Sequence, residues 1–424
     1  AVARHRRRAV RPRRPGLSYW ANRINAWEDF PDVTGTINGS LAAAFDAFRR
    51  GLVTEFLAWQ RGLVDQYRRE DQFVTQNFDY EWRGHSFGVQ GAVDHFKAAD
   101  AVTLAGVDIY HPGEDRLTGH EIGFGGDISR SLKDGAPYLV VETQAQGQMG
   151  WLPYPGQLRL QAYSHLASGA MGVMYWHWGS LHNSFETYWK GLLSQDYSPN
   201  PTYLEAAALG REIAEHADAL TGLTKRNRIA IMISNESLTA LEWFGLESGF
   251  PRRYSGGGAN YNDVFRWVYD ALFDLNLEAD VVPADAAACE GGSDVEVLAV
   301  YDHHAWSGPA IATRAVGRGS LTHLAAMTSP ALTRALLQLV ARRAGATDWA
   351  ADLAGTITVR KGVNGAGRPL AYLLNYSRDA VRVTLPVGGR DVLGTARPVG
   401  GALAAGTDVT VPAWGVLAVE GERD

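Results

Sequence analysis

The run Leu139-Val-Val141 constrains the fold of this chain more than any other stretch. Three successive apolar residues, entered from Pro137-Tyr138 and left through Glu142, do not alternate as a half-solvated strand would. They read as a strand covered on both faces, the kind found in parallel sheets flanked by helices. Parallel strands need long crossovers, and the surrounding chain supplies them. Over residues 40–69, Leu41, Ala44, Phe45, Phe48, Leu52, Val53, Phe56, Leu57, Leu63 and Val64 recur at three- and four-residue spacing. With Ser40 as the cap, that spacing predicts a long amphipathic helix. Strands are expected at 73–78, 105–110, 138–142 and 173–178, with helices at 89–101, 155–169 and 203–220. Such alternation implies βαβ units and an α/β fold. A closed (β/α)8 TIM barrel needs eight strands, so four predict half of one.

Glu142 is placed at the carboxyl end of its strand, where α/β barrels set their chemistry. Aromatic residues follow it. Trp151 stands in a proline-stiffened loop, Trp176 ends the next apolar strand, and Glu186 and Trp189 lie just beyond. Flat apolar rings stack on the C–H face of a sugar while a carboxylate attacks the anomeric carbon, which is what a glycosidase needs. The plainer readings are a Glu that merely ends a strand at a solvated loop, and tryptophans that merely pack a core.

Residues 16–220 resemble the family 42 glycoside hydrolases, chiefly β-galactosidases. The resemblance rests on Tyr19-Trp-Ala-Asn-Arg-Ile-Asn-Ala-Trp-Glu-Asp-Phe-Pro31, Gly35-Thr-Ile-Asn-Gly-Ser40, Val74-Thr-Gln-Asn-Phe78, Gly106-Val-Asp-Ile-Tyr-His-Pro112, Glu142-Thr-Gln-Ala-Gln-Gly147 and the stretch from His182 to Gly191, all in the family's order. It implies that Glu142 is the catalytic nucleophile and that Trp151, Trp176, Glu186 and Trp189 form the sugar-binding wall, although the family often has His where Trp189 stands. It further implies a β-galactoside or galacto-oligosaccharide substrate, no cofactor, and a possible homotrimer. The family's general acid/base is the Glu of an Asn-Glu pair on the fourth barrel strand; by the resemblance this chain begins after that strand, holds the later half of the barrel and lacks the residue. A retaining glycosidase works with two carboxyls about 5–5.5 Å apart, and only one is visible. Asn235-Glu236 is read as non-catalytic, because it follows the strand at 228–235 that opens the family's flavodoxin-like trimerisation domain. Asp79, Glu81 and Asp108 are substitute proton donors that spacing alone does not favour.

The expected organisation is an arginine-rich, disordered segment at 1–16, a partial TIM-barrel glycosidase domain at 17–222, a truncated flavodoxin-like domain at 223–346 and a small all-β sandwich at 351–424. In the second region a helix is expected at 262–276 and strands at 279–283 and 295–301, followed by a small-residue linker at 284–293 where the family has more chain. In the third, short β runs are expected at 356–359, 370–375, 380–385, 409–411 and 415–420. The arginine-rich start is best explained as the broken edge of a longer gene; a nucleic-acid tail is the rival. A net charge of −6 gives no general reason to expect nucleic acid or an anionic membrane, and no apolar run reaches the roughly 20 residues of a span. The single cysteine, Cys289, excludes an intrachain disulfide and fits a cytoplasmic protein, the location expected, but also many exported ones. Asp302-His303-His304 lacks a third ligand and is read as no metal site. The function expected is that of a retaining β-galactosidase limited by its missing acid/base; the alternative is a non-catalytic carbohydrate-binding or assembly remnant.

Overall fold

The structure is a computed structural model. It describes residues 32–33, 36–82, 85–147, 152–243, 261–284, 295–302, 308–325 and 328–422. These residues fall into two compact units, each drawing on separate stretches of chain.

One unit gathers the described residues up to 75, those at 88–103 and those within 234–265. Its main element is helix α1, Gly39–Val64. The cap is Asn38 rather than Ser40: the Asn38 side chain accepts from the Leu41 amide at 3.0 Å, as cap residues do for the first turn. The helix also ends five residues early, at Val64. There Asp65 gathers Arg61 and Arg68 and the chain turns. The expected helix at 89–101 shrinks to His95–Ala98 and a 3₁₀ turn at Ala99–Ala101, with Asp94 capping it through the Lys97 amide. The side chain of Arg50, buried within this unit, donates to the Gly91 carbonyl and to Thr239, and reaches the exposed Glu236 at 3.5 Å.

The second unit holds residues 76–87, 104–233 and the described residues from 266 onward. Four parallel strands form its sheet: β1 (Asn77–Asp79), β2 (Gly106–Asp108), β3 (Tyr138–Gln144) and β4 (Ala170–Trp176), in that order. This is the order in which they occur in the chain, as successive βαβ crossovers produce. Val107, Leu139 and Val140 are buried as the apolar run demanded. Helix α2, His120–Ser131, crosses from β2 to β3; the sequence does not advertise it, because three of its twelve residues are glycines, each costing about 1 kcal/mol of helix propensity relative to Ala. Packing overrides the propensity. A Cβ on Gly123 would meet the Phe273 ring at 2.6 Å, one on Gly125 would meet Ile109 at 2.7 Å, and one on Gly126 would meet Ser168 at 2.5 Å. Helix α3 (Gln157–Ala167) follows β3 and is buried along its length. Helix α4 (Pro201–Glu215) follows β4, capped by Asn200 with Pro201 in its first turn.

Strands β5 (Ile229–Ile233) and β6 (Ala279–Pro283) pair in parallel, joined by a path that includes helix α5 (Tyr261–Asp274). A doubly wound sheet would add its next strand in parallel. Instead β7 (Glu296–Val300) pairs antiparallel with β8 (Pro309–Val316), which pairs antiparallel with β9 (Gly319–Leu324). Helix α6 (Pro330–Arg343) then contributes Ala341 to a core of Leu272, Leu275, Leu277 and Ala279.

The last region is wholly antiparallel. One sheet contains β10 (Thr358–Val363), β11 (Pro369–Leu374), Gly389–Asp391, Ala402–Leu403 and Val416–Glu420, and a second ribbon pairs Val381–Thr384 with Asp408–Val411. Val359, Leu373, Leu417 and Val419 pack against Val383, Leu385, Val409 and Val411 as its core.

Buried charges tie this region to the parallel sheet. Asp127 of α2 accepts from Arg130 at 2.7 Å, Arg360 of β10 at 2.6 Å and the Tyr269 hydroxyl at 2.6 Å. Arg130 also reaches Asp280 of β6, and Arg360 reaches Glu278, which pairs with Lys225. Burial pushes the Asp127 carboxyl up, but Arg360 and Arg130 outweigh it and hold the group below its ordinary value.

Candidate active site

The register of the parallel sheet builds the site. Asp79 of β1 lies opposite Asp108 of β2, and Asp108 opposite Glu142 of β3. Val107 pairs with Val140 and Asp108 with Glu142, so β3 carries one extra residue, Val141, as a bulge. Bulges re-aim side chains beside functional sites; this one brings a third acid into the row. The strand runs on to Gln144 instead of ending at Glu142. Its extension is anchored: the Ile109 amide donates to the Glu142 carbonyl at 3.0 Å and the Thr143 hydroxyl to the Ile109 carbonyl at 2.7 Å. These two bonds fix Tyr110 beside Glu142.

Glu142 is half-buried. Its Oε1 accepts from the Tyr110 hydroxyl at 2.5 Å and its Oε2 from Asn77 Nδ2 at 3.3 Å. The same Asn77 nitrogen donates to Asp108 Oδ2, also at 3.3 Å. Burial first, and then the bond it gives to Glu142, push the Tyr110 phenol far above its ordinary range, so it stays protonated and remains a donor. Burial and the neighbouring Glu142 charge push Asp108 up to about 7, against the Asn77 hydrogen bond and with a further push from Asp79.

Trp176 ends β4, and its indole Nε1 donates to Glu186 Oε2 at 3.1 Å. Glu186 also acts on Tyr110 electrostatically, so Glu142, Tyr110, Glu186 and Trp176 share one environment. Trp189 is half-buried in the turn that follows Glu186: its amide donates to the Glu186 carbonyl at 2.9 Å and its carbonyl accepts from Leu181. Trp151, His303 and His304 lie outside the described residues. Glu236 belongs to the other unit, where it pairs with Arg50. Among the described residues no cluster of three or more His, Cys, Asp or Glu side chains could hold a metal ion, and no helix is long and apolar enough to cross a membrane. Tyr110 and Asn77 were not singled out from the sequence, although both stand inside stretches that carried the resemblance. Their signal was proximity to Glu142 across neighbouring strands, which only the register supplies.

A carboxylate held by a phenol and an amide at the carboxyl end of a parallel strand, beside an indole bonded to a second carboxylate, is a site that can attack a sugar carbon. Residues 13–216 match the glycoside hydrolase family 42 model, described as β-galactosidase. Over that stretch the chain is similar to the family 42 β-galactosidases. A β-galactosidase of Haloferax lucentense is 27% identical over 287 residues, which are 64% of this chain and 40% of that protein. One from Geobacillus kaustophilus is 25% identical over 282 residues, 64% of this chain and 39% of its own. The chain thus spans about 40% of the length of the curated relatives it matches. Among solved structures, a β-galactosidase from Bacillus circulans sp. alkalophilus superposes with a TM-score of 0.75 at 16% identity, over 95% of this chain and 73% of that one. The enzyme of Halorubrum lacusprofundi does so with a TM-score of 0.72 at 20% identity, over 95% and 72%. At these identities the likeness carries the fold, a TIM-barrel type α/β sheet followed by β structure. Among the described residues, the parallel sheet that carries Glu142 comprises four strands.

Proposed function

We propose that the chain is a retaining glycoside hydrolase of the β-galactosidase type in which Glu142 attacks the anomeric carbon of a terminal β-D-galactoside. The observation that carries this reading is the bonding of Glu142: a protonated phenol at 2.5 Å and an amide at 3.3 Å both donate to its carboxylate. That arrangement aims its oxygens. In the first step a Glu142 oxygen bonds to the anomeric carbon as the glycosidic bond breaks; in the second, water displaces the sugar. Glu186 and the Trp176 ring are the sugar-binding wall, with Trp189 and Trp151 as its further members. A homotrimer is the assembly implied by the family resemblance.

The test is intact-mass labelling with a 2-fluoro galactosyl donor carrying an activated leaving group, followed by peptide mapping. Such a donor needs little protonation by the protein, so it isolates the nucleophile. The expected result is one label on Glu142, lost in Glu142→Gln. A second reading, a carbohydrate-binding remnant, draws on Glu186 and the Trp176 indole bonded to it, which can hold a sugar without chemistry. A folded chain that binds galactose and takes no label would establish that reading instead.

A further inference from the structure

The turn that follows β4 leaves large apolar side chains in solvent. Phe185 is fully exposed, at 104%, and Tyr188 is 78% exposed. The two flank Glu186, whose Oε2 accepts the Trp176 indole N–H at 3.1 Å. The turn is firmly built: the Leu181 amide donates to the Trp189 carbonyl at 3.1 Å, the Tyr188 amide to the Leu181 carbonyl at 3.0 Å, and the Thr187 hydroxyl to the Ser184 carbonyl at 2.6 Å. Ser184 and Tyr188 are both held at φ 75°, in the left-handed region that residues with a Cβ avoid. Strained backbone of this kind gathers where a chain grips a ligand. A ligand that covered the two rings would also remove their apolar surface from water, which favours binding.

The groups around the rings suit a sugar. Asn183 and Ser184 are exposed next to Phe185, and Glu186 is half-buried between the two rings, so apolar faces alternate with hydrogen-bonding groups. A pyranose has the matching pattern, a C–H face that stacks on an aromatic ring and a rim of hydroxyls. A stable protein interface buries roughly 1,200–2,000 Å², more than two side chains present. The Cα atoms of Phe185 and Glu186 are about 3.8 Å apart, so a galactose whose hydroxyl bonds to Glu186 brings the next ring of its chain within reach of Phe185.

We propose that Phe185 and Tyr188 are specificity-determining residues that stack on the sugar next to the galactose, the leaving group, so that the chain selects oligosaccharides ending in β-galactose over galactosides with small leaving groups. The proposal rests on the reading of Glu186 and Trp176 as the sugar-binding wall.

The experiment is titration calorimetry of the full chain carrying Glu142→Gln, so that no sugar is turned over, with methyl β-D-galactoside and with a disaccharide of β-linked galactose. The disaccharide is expected to bind about tenfold more tightly, the gain supplied by covering one aromatic face. Adding Phe185→Ala and Tyr188→Ala together should remove that gain and leave the affinity for the methyl galactoside unchanged. Phe185→Tyr with Tyr188→Phe keeps both rings and should retain the gain. Both positions are exposed, so these variants keep the fold, which an unchanged thermal midpoint checks. A disaccharide that binds no more tightly than the methyl galactoside, or a gain that survives the loss of both rings, overturns the proposal. So does self-association in sedimentation that the double alanine variant abolishes while the sugar affinities stay the same, which would assign the rings to a second copy of the chain. If the methyl galactoside binds and the gain is absent, the sugar-binding wall stands and this proposal alone falls; if neither sugar binds, both fall.

Discussion

Replacing Asp127 by Asn tests how strongly the buried charges hold the second unit together. The substitution keeps the shape of the side chain and removes its charge. In the native chain the Asp127 and Arg130 side chains are each 1% exposed and that of Arg360 4%. Two guanidinium groups bond to one carboxylate at 2.7 and 2.6 Å. With charge centres about 4 Å apart and an effective dielectric near 20, each attraction is about 4 kcal/mol, or about 8 kcal/mol for both. Removing the charge also relieves the carboxylate's own desolvation, several kcal/mol. The net loss expected is about 3–5 kcal/mol, the usual result when one partner of a buried pair is taken away. Urea unfolding followed by tryptophan fluorescence reads it as a lower midpoint at unchanged slope. Adding Arg360→Met to Asp127→Asn removes a buried cation left with Glu278 as its carboxylate partner and should restore about 2 kcal/mol or more, within the range of coupling between contacting residues. Asp127 is held below its ordinary value near 3.8, so its contribution is complete above that pH and disappears only as pH falls through the lower folded value. The gap between native chain and variant should therefore be flat from pH 7 to about 5 and narrow only in stronger acid. A loss under about 1 kcal/mol, or a double variant no better than the single, would refute the reasoning.

Three further outcomes follow from the surroundings of single residues. Tyr110→Phe removes a hydrogen bond to an ionised group, worth about 1.5–3 kcal/mol, and should slow galactosyl labelling of Glu142 about 10- to 150-fold; a rate within threefold of the native chain would count against it. Gly126→Ala should cost about 1–3 kcal/mol in urea unfolding, because its Cβ would sit 2.5 Å from Ser168. The same change at Gly51, with nothing within 4 Å, should stabilise α1 by up to about 1 kcal/mol.

The strands with continuous apolar runs were legible because burial on both faces leaves a mark in composition: residues 138–142 and 279–283 were expected and observed within two residues. Helix α2 was not, because its glycines answer to Phe273, Ile109 and Ser168, residues distant in sequence. Helix α1 was expected at its core, while its ends moved, since Asn38 and Asp65 act through side-chain bonds that periodicity does not see. The antiparallel strands β8 and β9 were not anticipated. In the site, Glu142, Trp176 and Glu186 were named from sequence and stand together. Tyr110 and Asn77 entered only through register, because a partner one or two strands away leaves no local signature.

The bonding of Asp127 to Arg360 also bears on how such a chain can be inherited. The two residues are 233 positions apart, yet a change at either one unbalances the buried charges that join Asp127, Arg130, Arg360, Glu278 and Lys225. Exchange of the stretch after residue 351 with that of another lineage would succeed only if the incoming piece brought a cation to the same spot. The terminal β structure is thus not a free passenger on the sheet that carries Glu142, and the two stretches should descend together.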